Sequence, residues 1–217
     1  MLTSATSLSN CCFRLPQAPP GHPGPPGPPG PSGTAAFDSF RCLCIAQLQN
    51  FLAAVVECVP NADEREYVFN FVAGPTNFVT AFIRADIDYR NRILIPVFND
   101  PPTGQPPDRF INLFNIAVIF PSNIGFTEEQ ISCIYNNMRT NNPAAQFQLG
   151  GCEAQTNRQL VNTLRALQGE EFIIFAASIG APGEIELVLP GIVVLENVGF
   201  LFAIRLCDIE SIAPFEI

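Results

Sequence analysis

Histidine and cysteine have the widest chemical repertoire of the residues in this sequence, and they are unevenly represented. The chain of 217 residues contains 8 cysteines but a single histidine, His22. Nucleophilic catalysis by serine or cysteine needs a neighbouring base, which is usually a histidine. His22 lies in a segment of glycine and proline, where we expect no pocket around it. We therefore expect no Ser-His-Asp or Cys-His site, and we predict that the chain is not an enzyme.

The adjacent pair Cys11 and Cys12 predicts covalent links between chains. The pair lies in a polar stretch, residues 1–20, that is too short to form a core of its own. Adjacent cysteines rarely bond to each other, because the small ring departs from normal disulfide geometry. An extended tail can instead reach a neighbouring copy, so both cysteines are candidates for disulfides between subunits. The alternative is that both are free thiols in this tail.

The other candidate binding motifs are incomplete. Zinc sites prefer Cys-x-x-Cys pairs, which the sequence lacks. Gly150 and Gly151 precede a helix-like segment, but the lysine of a phosphate-binding loop is missing. Asp86 and Asp88 could meet at the end of a strand, yet the rest of a calcium loop is absent. We therefore expect no metal site and no cofactor.

Charge and hydropathy argue against two classes of partner. The net charge is −9, and the 11 basic residues are all arginines that form no run, whereas nucleic-acid binding needs clustered positive charge. We find no stretch of the roughly 18 apolar residues that a membrane helix needs. The first residues also lack the basic and apolar regions of a secretory signal. We expect neither nucleic acid nor membrane as a partner, and no signal peptide.

Glycine recurs at every third position of residues 21–33, between prolines. Collagen requires this period, because only glycine fits at the axis of three wound polyproline-II chains. The alternative is a stiff proline-rich linker, which has no reason to keep glycine in register. A stem this short needs a neighbouring segment to hold three chains together. The predicted axial residues are Gly21, Gly24, Gly27, Gly30 and Gly33.

A helix is predicted over residues 34–60, which Pro60 ends. Five apolar residues in it repeat at alternating spacings of three and four, which is typical of a coiled coil. Two heptads are too few to decide the matter. The helix could therefore trimerise the chain or be an ordinary core helix of the globular head. The stripe consists of Ile45, Leu48, Leu52, Val55 and Val59.

Residues 61–217 are predicted to form a globular α+β head. Short runs rich in Val, Ile and Phe are bounded by Gly, Pro, Asn or Asp, which indicates strands. Thr127 and Thr156 each begin a capping-box pattern, which predicts a helix after each of them. Strands before and after two helices favour a mainly antiparallel sheet or, as the alternative, a sandwich, with two or three helices in all. The predicted strands are 66–73, 77–85, 92–98, 111–120, 171–177, 184–189, 192–196 and 199–206.

The period-three glycines and the paired cysteines resemble the collagen-like surface proteins of spore-forming bacteria. Such proteins carry a short N-terminal segment, a collagen-like stem and a trimeric head, and they form the nap or appendages of the spore exterior. Cys11 and Cys12 are similar to the double-cysteine connectors of spore appendage fibres. The resemblance implies a self-assembling homotrimer or polymer on the spore exterior, with other spore-surface proteins as possible partners. A second function stays open: a stalked trimeric binding module, like an adhesin or phage fibre, that recognises a receptor or glycan.

Overall fold

Three helices and ten strands make up the part of the chain that this computed structural model describes, which is residues 37–61, 65–72, 78–90, 92–100, 106–147 and 149–215. The side chains of residues 37–39 and 152 are not included. The helices are α1 (Phe37–Cys58), α2 (Glu128–Thr140) and α3 (Gly151–Ala166). The strands are β1 (Glu66–Phe71), β2 (Phe78–Phe82), β3 (Leu94–Val97), β4 (Arg109–Asn112), β5 (Ile116–Pro121), β6 (Glu171–Ala176), β7 (Ile179–Leu189), β8 (Ile192–Asn197), β9 (Phe200–Arg205) and β10 (Ile209–Pro214).

Eight of these strands form one antiparallel sheet. Their order is β10-β6-β7-β8-β9-β5-β1-β2, while β3 and β4 pair separately. The predicted α+β class with a mainly antiparallel sheet is therefore confirmed, with three helices. Among the described strands there is one large sheet and one small hairpin, and not the two comparable sheets of a sandwich.

The central strands are buried on both faces of the sheet, which explains their nearly continuous runs of Val, Ile and Leu. In β8, Ile192 and Val194 belong to the core beneath α1 and α2. Val193 and Leu195 point the other way, into a second core that includes Val161 of α3. Because side chains alternate along a strand, one apolar strand can serve two cores.

Helix α1 is a core helix of this domain. All five residues of the predicted trimerisation stripe are between 0% and 3% exposed within one chain. They pack against α2 and the sheet in the first core, so the stripe has no free face to offer two further copies. Within one chain, the structure thus favours the core-helix alternative for Ile45, Leu48, Leu52, Val55 and Val59.

The residues 40–58 of α1 are long and apolar enough to cross a membrane by length and composition. The sequence analysis missed this stretch. About two thirds of it, 67%, is buried inside the chain, and the core helix of a soluble protein passes the same test. Polar side chains fix it in this core, since Asn50 donates a hydrogen bond to the Met138 carbonyl of α2 at 3.0 Å.

Two disulfides attach α1 to distant parts of the chain. Cys44 bonds to Cys207, in the turn that follows β9, and Cys58 bonds to Cys133 of α2. The two cysteines are 163 residues apart in the first bond and 75 residues apart in the second. Each bond therefore closes a long loop and restricts the unfolded chain. These pairs support the expectation of disulfide bonding, although they lie within one chain.

Candidate functional site

The residues that the sequence analysis singled out do not form a site among the described residues. Cys11, Cys12 and the five stem glycines lie outside the part of the chain that the structure describes, and the apolar stripe is part of the core. A group of charged side chains lies elsewhere in the described part. It occupies the surface between α2 and the β7–β8 hairpin.

Three glutamates lie directly opposite one another on adjacent strands. Glu171 of β6 pairs with Glu184 of β7, and Glu184 pairs in turn with Glu196 of β8. Residues that are directly opposite in an antiparallel sheet have Cβ atoms about 4.5–5.5 Å apart, and like charges there are destabilising. The sheet therefore carries a row of carboxylates that repel each other.

Two further glutamates approach the end of this row. The β7–β8 register shifts by one residue between Ile185 and Leu187, and Glu186 is the extra residue. Glu128 comes from the first turn of α2, where Thr127 caps the helix through a complete capping box. We call the five residues the glutamate cluster: Glu128, Glu171, Glu184, Glu186 and Glu196.

The glutamate cluster lines two adjoining cavities. One has a volume of about 260 Å³ and is bounded by α2 residues, among them Tyr135 and Arg139, together with Glu186 and Glu196. The other has about 380 Å³ and is lined by all five glutamates and by the β8–β9 turn. Glu128, Glu186 and Glu196 border both, so we treat them as one acidic cavity.

The β8–β9 turn fixes the position of α2 above the cavity. Val198 and Gly199 both have positive φ, of 49° and 81°, as expected for a tight two-residue hairpin. The Phe126 amide donates a hydrogen bond to the Gly199 carbonyl at 2.7 Å. A Cβ atom on Gly199 would lie only 2.9 Å from the Phe126 carbonyl oxygen. Glycine therefore lets the turn contact the segment that leads into Thr127 and Glu128.

The environment raises the pKa values of two of these glutamates. Burial raises the pKa of Glu186 above its ordinary value of 4.5, and the charge of Glu184 and a hydrogen bond with it act in the same direction. Burial also raises the pKa of Glu196, followed by the charge of Glu184.

Tyr135 adds a buried hydroxyl group to the cavity wall. Its side chain is only 7% exposed, and its Oη atom has no hydrogen-bond partner. Burial raises the pKa of Tyr135, and the charges of Glu196 and Glu186 raise it further. A buried polar atom without a partner is costly and rare in native proteins. Tyr135 is therefore a candidate binding residue of this cavity.

The cavity can attract positive charge. Arg139 is the basic residue among those that line it, and its charge opposes the rise in the pKa of Glu186. Among the described residues, no three His, Cys, Asp or Glu side chains come close enough to hold one metal ion. The carboxylates are thus spread around a space instead of converging on a point.

Comparison with known proteins gives no assignment. No protein-family model matches the sequence, and neither a curated protein nor a solved structure shows detectable similarity.

Proposed function

We propose that the chain is a self-assembling structural protein of a bacterial spore surface or filament, with a collagen-like stem before a globular head. The observation that carries this proposal is the glycine register at residues 21–33, which no other protein class needs in this form. In this proposal three chains wind around each other at the five axial glycines. The head would lie at the end of each stem, since α1 begins at Phe37.

The disulfides support an exterior location. Bonds such as Cys44–Cys207 and Cys58–Cys133 form and persist in oxidising environments. Two such bonds close long loops in a domain that must survive outside a cell. Cys11 and Cys12 would then link one chain to the next under the same conditions.

Burial of the α1 stripe changes what must hold the chains together. Since the stripe packs inside each head, the trimer must depend on the stem, on the tail cysteines and on other surfaces of the head. We therefore expect assembly to be sensitive both to stem glycines and to reductant. If none of these contacts holds the chains together, residues 21–33 are a stiff linker and not a collagen-like stem.

A native-mass measurement with and without reductant tests the proposal. We expect trimers or larger assemblies of the full chain, and reductant should dissociate the larger ones. Gly27→Ala should raise protease sensitivity in the stem, whereas Gly150→Ala, where an added Cβ meets nothing within 4 Å, is the matched control. Non-reducing gels should show ladders that Cys11→Ser/Cys12→Ser removes. A chain that stays monomeric at high concentration, with identical migration of both proteins, would contradict the proposal.

The acidic cavity favours a second candidate function, a stalked binding module. A structural subunit has no need for a row of opposed carboxylates, which costs stability. Electron microscopy separates the two functions. Long fibres that reductant breaks would support the structural protein, and discrete stalked trimers that bind cells or sugars would support the binding module.

A further inference from the structure

We propose that the acidic cavity binds an organic cation with N–H donors, namely a guanidinium or primary ammonium group. This inference goes beyond the structural function and does not rest on the stem. It is carried by the glutamate cluster, by the unpartnered hydroxyl of Tyr135 and by the volume and lining of the two adjoining cavities.

The positions of the glutamates favour binding of a positively charged group, because their carboxylates repel one another. Glu171, Glu184 and Glu196 are in register on three neighbouring strands, where uncompensated like charges destabilise the sheet. The one arginine at the cavity, Arg139, is exposed and lies at its rim. A bound cation would relieve the repulsion that Arg139 alone cannot offset.

Tyr135 indicates that the partner carries hydrogen-bond donors. A phenol oxygen can accept a hydrogen bond as well as donate one. Its Oη atom has no hydrogen-bond partner, and Glu186 and Glu196 line the same cavity as Tyr135. An N–H group seated between Tyr135 and Glu196 would satisfy the phenol oxygen and a carboxylate together.

The dimensions favour an organic cation over a bare metal ion. No three ligating side chains in the described residues converge closely enough for one metal. The cavity of about 260 Å³ lies just below the range for drug-sized ligands, about 300–1,000 Å³, and the cavity of about 380 Å³ lies near its lower end. They suit a small molecule or a single side chain. A guanidinium group presents five N–H donors in a plane, which matches carboxylates spread around a space.

Two sources could supply such a group, and calorimetric titration distinguishes them. The full chain is titrated at pH 7.5 and low salt with methylguanidinium, spermidine and the peptide acetyl-Gly-Arg-Gly-amide. We expect saturable binding that weakens with salt. Tighter binding of the free cations assigns a small-molecule ligand, and tighter binding of the peptide assigns an arginine side chain of another protein. Tetramethylammonium, which has no N–H donor, should bind at least tenfold more weakly.

Single substitutions locate the binding. Tyr135→Phe should weaken binding about fivefold, while the melting temperature of the unbound protein stays the same or rises because the lost hydroxyl had no partner. Glu186→Gln should weaken binding about tenfold, whereas Glu210→Gln, on the exposed face of β10, should leave it unchanged. Wild-type affinity in both cavity variants would overturn the proposal. So would the absence of saturable binding by all three probes, or equal binding of tetramethylammonium.

Discussion

Helix α2 lies between two glutamate environments that have opposite character. On one side, Arg90 and Asn137 both donate hydrogen bonds to the carboxylate of Glu57, including one from Arg90 Nη2 at 3.0 Å. These donors hold the pKa of Glu57 below its ordinary value of 4.5. On the other side, Glu186 and Glu196 have raised pKa values and face more carboxylates than cations.

The difference shows that local donors, and not residue type, decide what a surface carboxylate does. Glu57 is the more exposed residue and still gains a favourable environment, because a guanidinium and an amide surround it. Glu186 and Glu196 of the glutamate cluster are instead partly removed from water and lie near like charges. The first arrangement is typical of a structural contact, and the second is typical of a candidate functional site.

The largest effect should come from the disulfide on the Glu57 side. Cys58→Ser/Cys133→Ser removes the bond that joins α1 to α2 beside Glu57 and Asn137. A disulfide typically contributes about 2–4 kcal/mol, chiefly by restricting the unfolded chain. Urea unfolding should show a loss of about 3 kcal/mol. A loss below about 1 kcal/mol would mean that this side of α2 is held by packing alone.

Removing one charge on each side should change stability in opposite directions. At pH 7, Glu57→Gln should lower the free energy of unfolding by about 0.5 kcal/mol, a value kept small because Glu57 is partly exposed and solvent screens the pair. Glu186→Gln should raise it by about 0.5 kcal/mol, since it relieves repulsion in the glutamate cluster. Glu210→Gln is the control and should change it little. If Glu57→Gln and Glu186→Gln change the free energy of unfolding in the same direction, the two sides of α2 do not differ as described.

The smallest expected effect is the pH dependence of the stability that Glu186→Gln adds. A carboxyl group whose pKa is raised in the folded state binds protons more tightly there, so its destabilising effect fades as pH falls from 7 towards 4.5. The advantage of Glu186→Gln over wild type should therefore shrink over this range in thermal melts. A stability advantage of Glu186→Gln that stays constant over this pH range would contradict the prediction. The groups that face Glu186 and Glu196 are Glu128, Tyr135 and Arg139 of α2, Glu171 of β6 and Glu184 of β7.

Local signals in the sequence predicted a large part of the fold but not every boundary. The Thr127 capping box is present in the structure. The helix start that the same pattern predicted at Thr156 is wrong, because α3 begins at Gly151 and Thr156 lies inside it. A capping box needs a non-helical backbone at its first residue, which the sequence pattern cannot reveal. The sequence analysis did not predict β10, because Glu210, Ser211 and Pro214 interrupt the apolar pattern of this edge strand.

The acidic cavity depends on register, which the sequence did not disclose. A regular hairpin turning at Pro190 and Gly191 would place Ile185 opposite Glu196. The bulge at Glu186 shifts the pairing, so that Glu184 lies opposite Glu196 instead. The alternation of Glu184 and Glu186 in a predicted strand was a visible signal. Its connection to Tyr135 appears only when α2 packs over the hairpin.

Carbon-13 NMR titration of the glutamate side-chain carboxyls tests the contrast between the two sides of α2 most directly. We expect the titration midpoint of Glu57 below its ordinary value of 4.5 and those of Glu186 and Glu196 above it. Addition of methylguanidinium should lower the midpoints of Glu186 and Glu196 and leave that of Glu57 unchanged. Midpoints at or below 4.5 for all three glutamates would contradict the account.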